Sequence, residues 1–532
     1  MSPRKRSRAA FGFALLALFC VAVAPVAADD ARIVEVYPDP YADGDAGEYV
    51  AVEFEGTDTS GWTLEDDDAA TPLPNRTLDG TVYFAANGGA HDRRDFALGL
   101  SLANSGETVV LRDASDDVID RLSYGDRENI DPTEGELVVR DGDGFETHPF
   151  GATDLEPLRA NASSVVAFTL PDSPGVVSDA FREADNRVLV SAYSFGSRHL
   201  AGILDETEAN VEVLVEGSPP GGFPVSTERA LESLDGARRY VADGEKSRYT
   251  YFHAKYAVAD DTAVVTSENF GDRNFAPNAT GSRGWGVAIE SEEASDYLAH
   301  VFREDTDWRA VSSWENASVD AHEQDESDAE VRTDFEPARE NRTRLEVFVA
   351  PDTGVEPVVS LIESADDEVL VQQAYVRSWN GALESNPYVD ALRNVSSRGV
   401  DVRVLLDGRW YYEEENAEVA DALNASGIDA RLAERPTHTK GVVVDNESVL
   451  VSSINWNENS PIDNREVGVV VHDEEVASYF ADVFESDWTA DGESAAADSG
   501  SGSGTAPTDY LLEAVIIALV SGIAVWLVTR EL

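Results

Sequence analysis

The chain has 532 residues, enough for several domains, and carries a formal net charge of −62 from 102 acidic against 40 basic residues. Hydrophobic residues make up 42% of it, too many for a disordered polyanion. The acid runs through the whole chain and only four basic residues are lysine; such a surface predicts a protein that works in molar salt, where the Debye length shrinks to about 3 Å and self-repulsion is screened.

The N-terminus opens with Arg4-Lys5-Arg6, continues as an apolar run from Phe11 to Val23 and ends in Val26-Ala27-Ala28. Residues 1–28 are therefore expected to be a secretory signal cut near Ala28. Phe19 precedes Cys20 where a lipoprotein signal needs a small residue, so lipidation is not expected. Cys20 is the sole cysteine, and its removal excludes disulfides, thiol catalysis and thiolate metal sites from the mature chain.

Residues 29–151 read as short strands punctuated by Gly, Asp and Asn: Ile33–Tyr37, Glu48–Glu53, Gly61–Leu64, Thr81–Phe84, Thr108–Arg112 and Val118–Leu122. Alternating polarity at this spacing predicts a β-sandwich. The stretches Glu35-Val-Tyr, Gly47-Glu-Tyr-Val, Gly61-Trp-Thr-Leu, Leu102-Ala-Asn-Ser-Gly-Glu-Thr-Val and Val118-Ile-Asp-Arg-Leu-Ser-Tyr124 resemble the lamin-tail domain. That likeness implies an immunoglobulin-like spacer or binding module.

An internal repeat follows, residues 165–314 and 343–490, joined by an acidic stretch at 315–342. Asn186–Tyr193 matches Asp367–Tyr375, and Val211–Gly217 matches Val400–Gly408. Val-rich, nearly continuous strands alternate with helices such as Glu356–Ala365 and Glu415–Ser426, which predicts an α/β domain built twice. Beyond it lie a Ser/Gly-rich linker at 491–509 and an apolar stretch at 510–529. The latter predicts a single membrane span; Arg530 after it and Asp509 before it put the rest of the chain outside the cell. Eight Asn-x-Ser/Thr acceptors (Asn75, Asn161, Asn278, Asn316, Asn341, Asn394, Asn424 and Asn446) accord with export.

Each half of the repeat carries one short motif. His253-Ala-Lys255 runs on to Asp260, and 185 positions later His438-Thr-Lys440 runs on to Asp445. Both read H-x-K-x4-D, and both are trailed by Ser and Asn: Ser267 with Asn269, and Ser453 with Asn455. A chain that has nearly eliminated lysine keeps it twice beside a histidine, so the chemistry requires an ammonium there. These paired motifs resemble the phospholipase D superfamily across the whole repeat.

The resemblance implies a cell-surface phosphodiesterase that needs no metal or cofactor. Two lysines and two asparagine amides neutralise the phosphodiester, one imidazole attacks phosphorus, and the other serves the leaving group and the incoming water. By family likeness His253 is the nucleophile and His438 the general acid/base, with Lys255, Lys440, Asn269 and Asn455 as phosphate ligands. Asp260 and Asp445, seven residues beyond each histidine, are expected on the opposite strand face in a structural role. Asn464-Arg465-Glu466 resembles the family's downstream Glu, which orients a catalytic imidazole; the matching Ser282-Arg283-Gly284 has glycine there instead. Tyr193, Tyr375, Trp379, Trp410, Tyr411, Tyr412 and Trp456 fall near strand ends, where they could line the site or serve as core. The substrate is a phospholipid headgroup or a nucleic acid; the alternatives are a phosphatidyltransferase of cardiolipin-synthase type and a non-catalytic binding module. With both motifs in one chain, a monomer suffices.

Overall fold

The computed structural model describes residues 31–41, 47–86, 95–125, 130–142, 144–234, 236–242, 248–308, 311–323, 333–409 and 412–498. The expected signal at 1–28 and the membrane anchor at 510–529 lie outside them, as does the linker from 499 onward. Among the described residues no helix is long and apolar enough to cross a membrane.

Residues 31–150 form a six-stranded and a four-stranded sheet. The two sheets share one apolar core: Ile33, Val52 and Phe84 from the first meet Leu64, Val109 and Leu122 from the second. Among the described residues, two side-chain contacts illustrate how this β unit rests on the rest of the chain. The Tyr41 hydroxyl donates to Asp463 at 3.0 Å, and Phe150 packs edge-on against Trp308 at 5.5 Å.

The repeat folds around one mixed sheet of 15 strands. Its central pair is Leu158–Leu170 against Ala338–Ala350, one from each half. Outward from that pair the order is the same on both sides. In the first half it runs Gly284–Glu290, Thr262–Thr266, Lys255–Ala259, Arg187–Ala192, Asn210–Glu216 and Arg238–Ala242. In the second it runs Glu466–His472, Ser448–Ser452, Lys440–Val444, Glu368–Gln373, Asp401–Asp407 and Asp429–Ala433. Only the edge strand Val311–Ser313 lacks a counterpart in this series. The two strands that begin at Lys255 and Lys440, and the strand Glu466–His472, are buried along nearly their whole length, which is why their sequences lack polar alternation.

The stretch 315–342 is not a free linker throughout, because Ala338–Ala350 is already strand and Ala321–His322 pairs with Phe223–Pro224. Helices cover the sheet and start where caps allow. Ser197 accepts from the Leu200 N–H, Ser291 from the Ala294 N–H, and Asn386 from Tyr388 and Val389, with Pro387 in the first turn. A separate apolar core lies in each half, and a third joins them. In the third, Trp285 of the first half packs on Phe480 of the second at 4.7 Å.

Candidate active site

The two H-x-K segments enter their strands beside the opposite half. The His253 N–H donates to the Arg465 carbonyl at 3.0 Å, and the His438 N–H to the Arg283 carbonyl at 2.8 Å. Each of these arginines is fully buried and holds the halves together by ion pairs. Arg465 meets Asp305 of the first half at 2.9 Å and Asp352 at 3.0 Å. Arg283 meets Asp487 of the second half at 2.8 Å and Asp172 at 3.1 Å. Breaking such a buried pair from one side costs about 3–5 kcal/mol, because it strands the partner charge. These pairs make the approach of the two histidine segments rigid.

His253 Nδ1 lies 2.8 Å from a Glu466 carboxylate oxygen and 2.9 Å from the other. Glu466 is itself fully buried and accepts from Ser453 and Ser460. Burial pushes the Glu466 carboxyl up, but His253, Lys255 and Ser453 outweigh it and hold it below the usual range. It is therefore a carboxylate, His253 Nδ1 carries the proton, and the Nε2 lone pair is left for chemistry. Burial also pushes His253 down to about 4, against the pull of Glu466. At neutral pH this imidazole is uncharged.

His438 is held by the opposite half as well. Its Nδ1 donates to the Ser267 carbonyl at 3.0 Å and faces a Glu268 oxygen at 3.4 Å. A carbonyl only accepts, so the tautomer is fixed here too. Burial and the neighbouring Lys440 hold His438 below its ordinary value. Glu268 is a candidate site residue that the motif comparison missed. It stands where the second half has Ile454, while the glycine that replaces the family's Glu, Gly284, starts the strand equivalent to the one Glu466 starts. A Cβ at Gly284 would overlap the Glu268 Cγ. The carboxylate has moved from the strand to the preceding loop, and the glycine makes its room. Ser282 donates to it at 2.6 Å, as Ser453 does to Glu466. The signal in the sequence was Ser267-Glu268-Asn269 set against Ser453-Ile454-Asn455.

Both lysines are fully buried. Lys255 Nζ donates to the His253 carbonyl at 2.6 Å; Lys440 Nζ donates to the His438 carbonyl at 2.8 Å and reaches the Ser267 carbonyl at 3.5 Å. An ammonium has three donors, so each keeps at least one for an anion. Burial lowers Lys255 to about 8, opposed by Glu466 and Glu268. Burial and then Lys255 itself push Lys440 well down. Asn269 and Asn455 flank the site, each with its side-chain oxygen buried and unpartnered among the described residues.

Asp260 and Asp445 are not on the strands. Each follows the last strand residue in a left-handed turn, φ 50° and 51°. Asp260 accepts from the N–H groups of Asp185, Asn186 and Arg187. Asp445 does the same for Asp366, Asp367 and Glu368. Both tie the motif strand to its neighbour, far from the imidazoles. Of the aromatic candidates, Trp379 and Trp456 are buried in the second-half core around Tyr388, and Trp410 and Tyr411 lie outside the described residues. Tyr193 packs edge-on to His253 at 5.0 Å and stands 5.5 Å from Lys255 Nζ. Tyr375 stacks on Tyr412 at 4.2 Å, with Arg377 beside both rings.

Residues 358–488 match the family model described as "Cardiolipin synthase, PLD-like domain". The chain carries a PLD-like domain. That match contains the whole second motif, from His438 to Glu466. No match is found among curated proteins. Among solved structures the chain is similar to a phosphatidylserine synthase from Haemophilus influenzae Rd KW20, at 13% identity and TM-score 0.47, over 63% of this chain and 88% of that one. It is also similar to Nuc from Salmonella typhimurium, titled a phospholipase D family member, at 23% identity and TM-score 0.25, over 28% of this chain and 95% of that one. A third likeness is to NucT from Helicobacter pylori, at 19% identity and TM-score 0.23, over 28% of this chain and 96% of that one.

Proposed function

We propose that the protein transfers a phosphatidyl group from one alcohol to another through a phosphohistidine. The observation that carries this reading is the crossed pair of imidazoles, each held at Nδ1 by the opposite half, beside two buried ammonium groups. His253 Nε2 attacks phosphorus and the bond to the leaving alcohol's oxygen breaks; that oxygen takes the proton from His438 Nε2. Glu466 balances the positive charge on the phosphorylated ring. The acceptor alcohol then gives its proton to His438 and attacks phosphorus, the P–N bond breaks, and His253 returns neutral. Lys255, Lys440, Asn269 and Asn455 hold the non-bridging oxygens. A phosphodiester anion bound beside His438 favours its protonated form, so substrate binding itself arms the acid.

Transfer is preferred to hydrolysis because the matched family model is described as a cardiolipin synthase. Hydrolysis is the second reading, since water in the acceptor's place uses the same groups. The β unit at 31–150 is proposed to be a lamin-tail-like module that docks the enzyme to its surroundings, and the N- and C-terminal segments to export and anchor it. The test is incubation of the protein with phospholipid vesicles in molar KCl, with and without an added alcohol. Phosphatidyl-alcohol as the main product supports transfer; phosphatidic acid alone at every alcohol concentration supports hydrolysis; no turnover of any phosphodiester refutes both.

A further inference from the structure

The strands Arg187–Ala192 and Glu368–Gln373 both end beside a catalytic lysine. Ala192 stands opposite Lys255, and Gln373 opposite Lys440. Directly opposed residues of an antiparallel pair leave the sheet on the same face, with Cβ atoms about 4.5–5.5 Å apart. The Gln373 side chain therefore runs out beside that of Lys440. It is fully buried, and neither its Oε1 nor its Nε2 has a hydrogen-bond partner among the described residues. Buried carboxamides with a structural task are treated differently here. Its neighbour Gln372 leaves Oε1 without a partner among the described residues but spends its Nε2 on Thr437 at 3.2 Å and Asp487 at 3.1 Å. Asn416 donates to the Ala374 and Asp407 carbonyls, both at 2.9 Å. A native fold rarely leaves both ends of a buried amide unspent unless a site uses them.

The two non-bridging oxygens of a phosphodiester are alike, and the matched Lys and Asn pairs of the two halves suit them. Its two ester substituents differ. The groups that break the internal symmetry are therefore suited to the substituents: Gln373 beside Lys440 where the first half has Ala192, and Tyr193 beside His253 where sheet register puts Ala374, one position before the Tyr375 that the sequence match suggested. The leaving or entering alcohol lies on the side of His438, opposite the attacking His253. Resting on the transfer reading above, we propose that Gln373 is a positioning residue for that alcohol. Its carboxamide hydrogen-bonds a second hydroxyl or amine on an acceptor whose first hydroxyl reacts.

The experiment compares 1,2-propanediol with 1-propanol as acceptors, which differ by one hydroxyl, using phospholipid vesicles in molar KCl. The unmodified protein is expected to favour the diol at least tenfold in kcat/KM, and Gln373→Met, similar in length and without the amide, to bring that ratio within about twofold of one. A purely structural role for Gln373 would lower both rates together and keep the ratio, which overturns the proposal. Equal use of the two alcohols by the unmodified protein overturns it without any variant, so a Gln373→Met chain that fails to fold does not rescue it. Absence of transfer to either alcohol refutes the transfer reading itself and takes this assignment with it.

Discussion

The carboxylate that serves His438 should be movable. Replacing Glu268 by Ile removes the only side-chain anion seen beside His438 among the described residues, at 3.4 Å from Nδ1. At an effective dielectric of about 20, that separation corresponds to a gross attraction of about 5 kcal/mol for the protonated ring. Desolvation takes back most of it, leaving about 1.5–3 kcal/mol, the usual net value of a hydrogen bond to a charged group. At about 1.4 kcal/mol per tenfold in rate, Glu268→Ile is expected to lower kcat by about 10- to 100-fold on an aryl phosphodiester. The Ser267 carbonyl still fixes the tautomer, so the loss stops short of complete. Adding Gly284→Glu to Glu268→Ile rebuilds in the first half the arrangement of Glu466 and Ile454 in the second. The double variant should regain at least tenfold of the loss. Gly284→Glu alone should be worse than either, because its side chain overlaps Glu268. A Glu268→Ile rate within twofold of the original, or a double variant no better than the single, would refute the idea that the carboxylate acts on His438 from either position.

Three further outcomes follow from the same geometry. The proposed nucleophile must be neutral and the acid protonated; burial puts His253 at about 4 and holds His438 below 6.5. The kcat/KM profile, which reports the free enzyme, should peak between those limits, fall above them as His438 loses its proton, and fall more steeply beyond about 8 as Lys255 does; a kcat limb at higher pH than the kcat/KM limb is expected, because bound anion favours the imidazolium. With an aryl leaving group, which needs no acid, His438→Ala should still form the intermediate but not resolve it, giving acid-labile phosphate on His253; His253→Ala should incorporate none. Asp463, pushed up to about 7 by burial, is favoured in its protonated form by folding. Its stabilising contribution is present at low pH and lost as pH rises through the folded value, so Asp463→Asn should melt higher than the original at pH 8 and equally at pH 3, in thermal scans at fixed salt.

What could be read from the sequence and what could not divide along a physical line. Residue type was legible wherever the chemistry admits no substitute: an ammonium and an imidazole at fixed spacing, present twice in a chain nearly free of lysine, required one shared site. The doubled α/β architecture was legible for the same reason, since a strand buried on both faces leaves a run of valines. Position in space was not legible where two solutions satisfy one need. A carboxylate beside His438 can hang from Gly284's position or from Glu268's, and comparing the halves at a single position registers only the loss at 284. The compensating gain lies sixteen residues earlier, across a loop that contains the short helix Asp272–Phe275, and becomes visible only when the two are seen to compete for one volume. Asp260 and Asp445 show the converse. Counting along a strand put them on its far face, but each ends the strand in a left-handed turn to collect three backbone N–H groups. Arg283 and Arg465 look like ordinary surface charges in an acidic chain; burial makes them the ion pairs that press the two histidine segments together. The motifs therefore name the candidate reacting groups, while their crossed support, each imidazole held by the opposite half, comes from packing alone. Support built this way cannot be assembled from one half, since the Nδ1 partner of each imidazole belongs to the other.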